Sequence, residues 1–168
     1  MLRNRMVRWS LWACAILVML GCAAGISNQA RSEVTVMEPF GELQQNVEHY
    51  IGETVMLGGK IIETYVQDNS TELTVLQLEL DRGDRPQASA QSAGRYLVRS
   101  DKFLDPALYP AGTIITVVGR LVERQERLIG SMPYRYPVIV PIEIKKWPEE
   151  QPDRGPRFHF GFGVGTRF

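Results

Sequence analysis

The stretch TIITVVGRLVER, residues 113–124, is the strongest β segment of the chain and carries a single internal glycine, Gly119. A glycine inside a strand is typical of a bulge or a tight bend, as at the corner of a barrel. A second long β-branched stretch, VMLGGKIIETYVQ (55–67), contains the pair Gly58–Gly59. Two long strands that bend at glycines suit a small β-barrel.

Three further stretches read as strands. TELTVLQLELD (71–81) alternates between two faces, RYLVRS (95–100) is short, and YPVIVPIEIKKW (136–147) contains Pro137 and Pro141, which confine it to an edge or a bulged position. In the first of these stretches the face formed by Thr74, Leu76, Leu78 and Leu80 is the more apolar, so we expect it to point into the core.

Two short helices are predicted, one before the first strand and one between the third and fourth strands. Apolar residues at helical spacing within 41–52 indicate one that ends near Gly52. In FLDPALYPAG (103–112), Asp105 and Pro106 occupy N-cap and first-turn positions, which predicts one helical turn. The order of three strands, a short helix and two strands is that of an OB-fold. We therefore predict an all-β chain with a five-stranded Greek-key barrel, with an open β-sandwich as the alternative.

The N-terminus has the pattern of an export signal. Arg3, Arg5 and Arg8 precede an uncharged run whose strongly apolar centre, residues 11–20, is only ten residues long. A membrane-spanning helix needs about 20 apolar residues, so a cleaved signal is favoured over a retained anchor. Cys22 follows this run in LVMLGCAAG (17–25) and would be the single cysteine left after cleavage.

The surroundings of Cys22 resemble the lipobox of bacterial lipoproteins, in which small and aliphatic residues precede a modified cysteine. Met19, Leu20 and Gly21 would be the signal-peptidase recognition residues, although Met19 departs from the usual leucine. The resemblance implies a thioether-linked diacylglyceryl group and an N-acyl chain such as palmitate on Cys22, and no other cofactor. Because Ala23 rather than Asp follows the cysteine, it also implies sorting to the outer membrane.

Four regions are expected on this basis: a signal peptide (1–21), an acylated tether (22–33), an OB-like β domain (34–147) and a tail rich in Pro, Gly and aromatic residues (148–168). The chain has 19 basic and 19 acidic residues, and without residues 1–21 it has 16 and 19, a net charge of −3. That charge and an extracytoplasmic location both argue against a nucleic-acid partner.

At a larger scale the chain resembles the Slp family of outer-membrane lipoproteins, which are inducible by starvation or in stationary phase. The stretches that carry the resemblance are the Cys22 lipobox, YIGETVMLGGKI (50–61), LTVLQLELDRGDRP (73–86), GRYLV (94–98), FLDPALYPAG (103–112), TVVGRL (116–121) and YRYPVIV (134–140), followed by Trp147. The resemblance implies a Gram-negative protein that is lipid-anchored in the outer membrane and faces the periplasm. It supplies no catalytic residue.

Catalytic and metal-binding patterns are not evident in the sequence. The two histidines, His49 and His159, have no second ligand at metal-binding spacing, and a G-x-S-x-G nucleophile motif is absent. The OB-fold instead suggests a ligand-binding face of tyrosines and one arginine. Its candidate members are Tyr65, Tyr96, Arg99, Tyr134 and Tyr136, which could equally brace the barrel.

The resulting expectation is a non-enzymatic lipoprotein that contacts outer-membrane lipid through its acyl chains. It would bind an envelope protein or glycan, or support envelope integrity under starvation or stress. The alternative is an enzyme that acts on envelope glycan or peptide with a site not recognisable from the sequence.

Overall fold

The computed structural model describes residues 25–88 and 91–148. The strands are β1 (Thr54–Gln67), β2 (Ser70–Leu78), β3 (Arg95–Ser100), β4 (Ile114–Ile129) and β5 (Met132–Trp147). Two short helices, α1 (Asn28–Ser32) and α2 (Phe40–Gln45), and a 3₁₀ helix (Val47–Tyr50) precede β1. No helix within these residues is long and apolar enough to cross a membrane.

The five strands close into one barrel in the order β1-β2-β3-β5-β4, with β4 returning to β1. All neighbouring pairs are antiparallel except β3 and β5, which run parallel where Leu97 pairs with Val138 and Val98 with Ile139. This order and the single parallel pair are those of a five-stranded OB barrel. The predicted fold is confirmed, and closure excludes the open sandwich.

Gly59 and Gly119, two of the glycines noted in the sequence, lie where the neighbouring strand leaves no room for a side chain. A Cβ on Gly59 would lie 2.4 Å from the carbonyl oxygen of Leu76, and one on Gly119 would lie 2.5 Å from that of Val140. The β4–β5 register also shifts between Val118 and Gly119. Because a side chain would push neighbouring backbone away, glycine allows the strands to approach and bend here.

The predicted inward face of β2 is wrong. Leu73 and Val75 are fully buried in the barrel core, whereas Thr74 and Leu76 lie on the outer face and are half-buried. The number of apolar residues on each face did not identify the inward face, because part of the outer face is also covered by the chain. Leu80 and Pro86 form a bridge in the loop after β2 that lies against Gly58, so leucines on that side are shielded without entering the core.

Both ends of the barrel are closed by the short elements predicted from the sequence. At one end, Phe40, Leu43 and Val47 enter the main core, with the backbone breaking at Asn46 between α2 and the 3₁₀ helix. At the other end, the backbone N–H groups of Leu108 and Tyr109 donate to the carbonyl of Asp105, which makes a single turn that does not continue as a helix.

The first described residues pack against the barrel wall. Ile26 and Ala30 are 4% and 3% exposed and contact Val118 on the outer face of β4. Ser27 caps α1 and donates from its hydroxyl to Glu143 of β5 at 2.5 Å. Within the predicted tether of residues 22–33, the part from residue 26 onward therefore belongs to the folded body. The predicted tail lies outside the described residues apart from residue 148.

Candidate functional site

The outer face of β1, β2 and β3 carries two of the five residues predicted to bind a ligand. Tyr65 pairs with Glu72 across β1 and β2, and Glu72 pairs with Arg99 across β2 and β3, so the three side chains form one row. Side chains in such a row point to the same face of a sheet. Tyr65 is 57% exposed, whereas Glu72 is 4% exposed. Something therefore covers this face next to Tyr65.

The cover is the far end of the β4–β5 hairpin. Beyond Arg120, β4 no longer pairs with β1, and residues 122–137, which we name the arm, form a two-stranded ribbon. Gln125 and Arg127 point from the arm toward the barrel, as do their cross-strand partners Tyr136 and Tyr134. The arm thus folds back over β3 and reaches β2.

A charged network fastens the arm to β2. Arg127 donates two hydrogen bonds to the buried Glu72 carboxylate, at 2.6 and 2.9 Å from its oxygens, and a third to Gln125 at 2.9 Å. A bidentate arginine–carboxylate pair is strong and fixes the relative geometry of its two side chains. Glu72 therefore serves as an anchor for the arm.

Arg99 joins the same network from β3. Its guanidinium donates to Glu123 at 2.7 Å and to Gln125 at 3.0 Å, and lies 3.4 Å from Glu72. The hydrogen bond to Glu123 raises the pKa of Arg99 above its usual value, although partial burial opposes that effect. The hydrogen bonds of Arg99 given above reach either the arm or Glu72, so Arg99 helps to fasten the arm.

An apolar contact lies beside the charged network. Leu97 of β3, Tyr136 and Val138 form a buried cluster that includes Val122 and Ile129 at its margin. Tyr136 is 5% exposed, and its ring lies 4.6 Å from that of Tyr134. Tyr136 is therefore part of the contact between arm and barrel and does not offer a free ring face.

Tyr134 braces the arm against two other elements. Its hydroxyl accepts from the backbone N–H of Arg95 at 2.5 Å and from the side-chain amide of Gln44 at 2.6 Å. The first bond links the arm to the start of β3 and the second links it to α2. These bonds fix where the arm lies across the end of the barrel.

Tyr96 points in the opposite direction, into the barrel. It is fully buried with its ring centroid 6.0 Å from that of Phe40, and burial strongly raises its pKa. Within the described residues its hydroxyl has no hydrogen-bond partner. The five predicted residues therefore do not share one open face, because Tyr96 and Tyr136 are buried and Arg99 and Tyr134 hold the arm.

Within the arm, the most exposed apolar side chains lie at its tip. Leu128 is 67% exposed, Met132 is 71% exposed, and Pro133 beside them is also exposed. A shallow groove of about 400 Å³ runs next to the tip. It is lined by Gln44, Gln45, Glu126, Pro133, Tyr134 and Arg135. An apolar tip beside a polar groove is suited to contact with another protein.

The arm was not predicted from the sequence, because the fourth predicted strand ends at residue 124 and the fifth begins at residue 136. Without the arm, Glu72 had no partner that would have marked it as important. One signal was present: Gly130–Ser131 forms a two-residue turn with Gly130 at φ +60°. A glycine-containing two-residue turn between two strand segments is typical of a hairpin. The run of charges in ERQER concealed it.

The predicted lipidation site, Cys22, and the recognition residues Met19, Leu20 and Gly21 lie outside the described residues. Among residues 25–88 and 91–148, no group of three His, Cys, Asp or Glu side chains could hold a metal ion.

Comparison with known proteins gives a family and several relatives. The family model described as Outer membrane lipoprotein Slp family matches residues 19–162. The chain is 28% identical over 131 residues to the uncharacterized lipoprotein YeaY of Escherichia coli K12, which covers 78% of this chain and 67% of that protein. It is 31% identical over 98 residues to the outer membrane protein Slp of the same organism, covering 58% and 52%. The latter match thus spans about half of that relative's length.

Among solved structures, the barrel is similar to the small single-stranded DNA-binding protein of Streptomyces coelicolor. The match has 13% identity and a TM-score of 0.37, and it covers 56% of this chain and 94% of that one. A likeness of this size carries no argument about function.

Proposed function

Because this chain belongs to the Slp family of outer membrane lipoproteins, we propose that it is acylated on Cys22, faces the periplasm from the outer membrane, and binds another envelope protein through the tip of its arm. The family match begins at residue 19, so it includes Met19, Leu20, Gly21 and Cys22. The contact would support envelope integrity under starvation or stress. The activity is binding rather than catalysis.

The exposed apolar tip is the observation that carries the binding role. The arm is fastened at its base by a buried ion-pair network and an apolar cluster, yet it ends in Leu128 and Met132, which are largely exposed. A rigidly held apolar tip loses little conformational freedom on binding, which favours affinity. A protein partner fits the tip better than a glycan, since sugar rings stack on open aromatic faces and the exposed tip residues Leu128, Met132 and Pro133 are not aromatic.

The assignment of a binding role also rests on what the buried carboxylate of Glu72 does. Glu72 is the acid that a catalytic reading would choose, because its side chain is 5% exposed next to two arginines. Both of its oxygens accept hydrogen bonds from Arg127. Because both oxygens are already engaged as hydrogen-bond acceptors, neither is positioned to take a proton from a substrate.

In-cell photocross-linking tests the arm as the binding surface. A photoreactive residue placed at Leu128 or Met132 of the full-length protein should give the same discrete adduct, whose mass spectrum identifies one envelope protein. The matched control is Phe103, which is 69% exposed in the β3–β4 connection and should give no such adduct. Equal adducts at all three positions, or none at the tip, would rule out the proposed surface.

A further inference from the structure

Gly25, the first described residue, lies on a side of the barrel that carries several basic residues. A Cβ built on Gly25 would lie 3.2 Å from the carbonyl oxygen of Gly83 and 3.2 Å from the carboxylate of Asp84. Asp84 is in turn bound by the guanidinium of Arg31 in α1. Gly25 is therefore seated against the loop that follows β2, at Gly83 and Asp84, which Arg82 and Arg85 flank in the sequence.

Only three peptide steps separate Gly25 from Cys22. A fully extended chain of that length spans about 11 Å. From Ile26 onward the segment is packed, so it adds no slack. If the sulfur of Cys22 carries acyl chains in a bilayer, the connection keeps the surface around Gly25 within about 11 Å of Cys22. That distance is close to the Debye length, so charges on this surface can be attracted to the lipid headgroups.

A tryptophan flanked by cations lies on this side. The Cζ of Arg85 is 5.6 Å and the Nζ of Lys145 is 5.7 Å from the ring of Trp147. The indole N–H donates to Thr116 Oγ1 at 2.9 Å, and that hydroxyl donates to the carbonyl of Asp84 at 2.6 Å. The ring is thus linked through Thr116 to the loop on which Gly25 rests.

Two more cations extend the same surface. Lys60 is exposed and lies in one row with Ile114 and Trp147 across β1, β4 and β5, while Arg82 is exposed in the loop. Two of the acids on this side accept hydrogen bonds from within the protein. Asp81 accepts from the backbone N–H groups of Gly83 and Arg85, and Glu143 accepts from Ser27.

We propose that this surface is a membrane-facing patch, which lies on the anionic phospholipid headgroups of the bilayer that holds the anchor. The patch consists of Lys60, Arg82, Arg85, Lys145 and Trp147. Tryptophan prefers the membrane–water interface, and lysine and arginine are attracted to anionic headgroups. This inference rests on the proposed acylation of Cys22 and adds an orientation to it.

The orientation places the arm away from the bilayer. In the β4–β5 ribbon, Ile114 pairs with Trp147 at one end and Ile129 pairs with Met132 at the other. The patch and the arm tip therefore occupy opposite ends of one ribbon. The surface proposed for protein binding is directed into the periplasm, where a partner can reach it.

Trp147 itself provides the probe. The chain has three tryptophans, and Trp9 and Trp12 lie in the signal peptide, so Trp147 is the single tryptophan of residues 22–168. The acylated full-length mature protein would be reconstituted in vesicles of phosphatidylethanolamine and phosphatidylglycerol that carry bromine near the headgroup end of the acyl chains. We expect strong quenching of the Trp147 emission. The double variant W147F/M132W, with its tryptophan at the arm tip, should show little quenching.

The charges are tested in the same vesicles. In K60Q/R82Q the ratio of docked to undocked protein should fall by about fivefold for each charge removed. The control R135Q removes an exposed cation from the arm and should leave quenching unchanged. Omission of phosphatidylglycerol should weaken quenching of the wild type as well.

The outcomes separate the two proposals. If the protein carries acyl chains by mass, floats with the vesicles and shows no quenching of Trp147, the orientation is wrong while the anchoring stands. Equal quenching of the arm-tip tryptophan would overturn the orientation too. If the purified protein carries no acyl chain and does not float, the proposed anchoring fails, and the inference fails with it.

Discussion

The orientation of Tyr96 could not be predicted from its residue type and strand alone. A tyrosine in a short strand of a barrel with a ligand-binding outer face suggests stacking, and the sequence offers no way to decide whether the ring points out or in. Its register opposite Val75 places it inside, against Phe40. There it fills the core at the expense of a hydroxyl that has no partner within the described residues.

Tyr96→Phe should therefore stabilise the protein by about 1 kcal/mol at pH 7, since the change removes a buried unsatisfied hydroxyl and keeps the ring. Burial raises the pKa of Tyr96, whereas in the unfolded chain it titrates near 10. The wild type thus keeps its full stability below about pH 10 and loses some as the pH rises further, because only the unfolded state releases the proton. The advantage of the variant should then grow.

Urea unfolding followed by circular dichroism between pH 7 and pH 11 measures both effects. Tyr65→Phe is the matched control, because that side chain is 57% exposed and its hydroxyl is free to meet water. A Tyr96→Phe protein less stable than the wild type at pH 7, or an advantage that stays flat above pH 10, would contradict this account of the buried hydroxyl.

At the scale of elements, the strands were largely readable from the sequence and the arm was not. Segments predicted at 55–67, 71–81, 95–100, 113–124 and 136–147 correspond to the five observed strands. Alternation and β-branched residues suffice where one face is buried. The arm is stabilised by cross-strand pairs and by Glu72 on another strand. Its polar residues therefore look like a loop until the partner strand is known.

Arg127→Met tests the fastening of the arm. The change leaves the buried Glu72 with Arg99 as its remaining arginine, at 3.4 Å. We expect a loss of about 2 kcal/mol in unfolding free energy, below the cost for a fully buried pair because the Arg127 side chain is 37% exposed. The double variant E72Q/R127M should lose less than the sum of the single variants, since no unpaired charge remains buried.

The control Arg135→Met removes an arginine that is 63% exposed and lies 3.5 Å from Glu126, so its cost should stay below about 0.5 kcal/mol. Amide hydrogen exchange over residues 122–137 adds a local readout and should become faster in Arg127→Met alone. If the two methionine variants behave alike, the network does not hold the arm.

At the scale of the whole molecule, the anchor and the barrel must be considered together. If Cys22 is acylated as proposed, the short connection from it to the packed segment at Ile26 joins the lipid to one defined side of the barrel. The sequence indicated the anchor but placed a flexible tether after it, because residues 23–33 are small and polar. The packing of Ile26 and Ala30 depends on Val118, which lies on a strand far along the chain and cannot be inferred from the local sequence pattern.

Cys22→Ser should abolish acylation and leave the signal peptide attached, since the serine hydroxyl cannot accept the diacylglyceryl group as a thioether. Two or more acyl chains hold a protein durably in a membrane, so the variant should also leave the outer-membrane fraction. Incorporation of radiolabelled palmitate and the intact mass of the purified protein measure both effects.

Cys14→Ser is the internal control, because that cysteine lies within the predicted signal peptide and its loss should leave labelling and mass unchanged. Equal palmitate incorporation into wild type and Cys22→Ser would refute acylation at this residue and, with it, the proposed mode of anchoring.

The closure of the barrel between β1 and β4 also bears on when the chain can fold. Thr54 pairs with Arg120, and the parallel pair of β3 with β5 forms only after both have been synthesised. Domains dominated by such sequence-distant contacts fold in milliseconds to seconds. A chain with this topology remains unfolded for longer after synthesis, and that unfolded state is the one that the proposed export through a translocation channel would require.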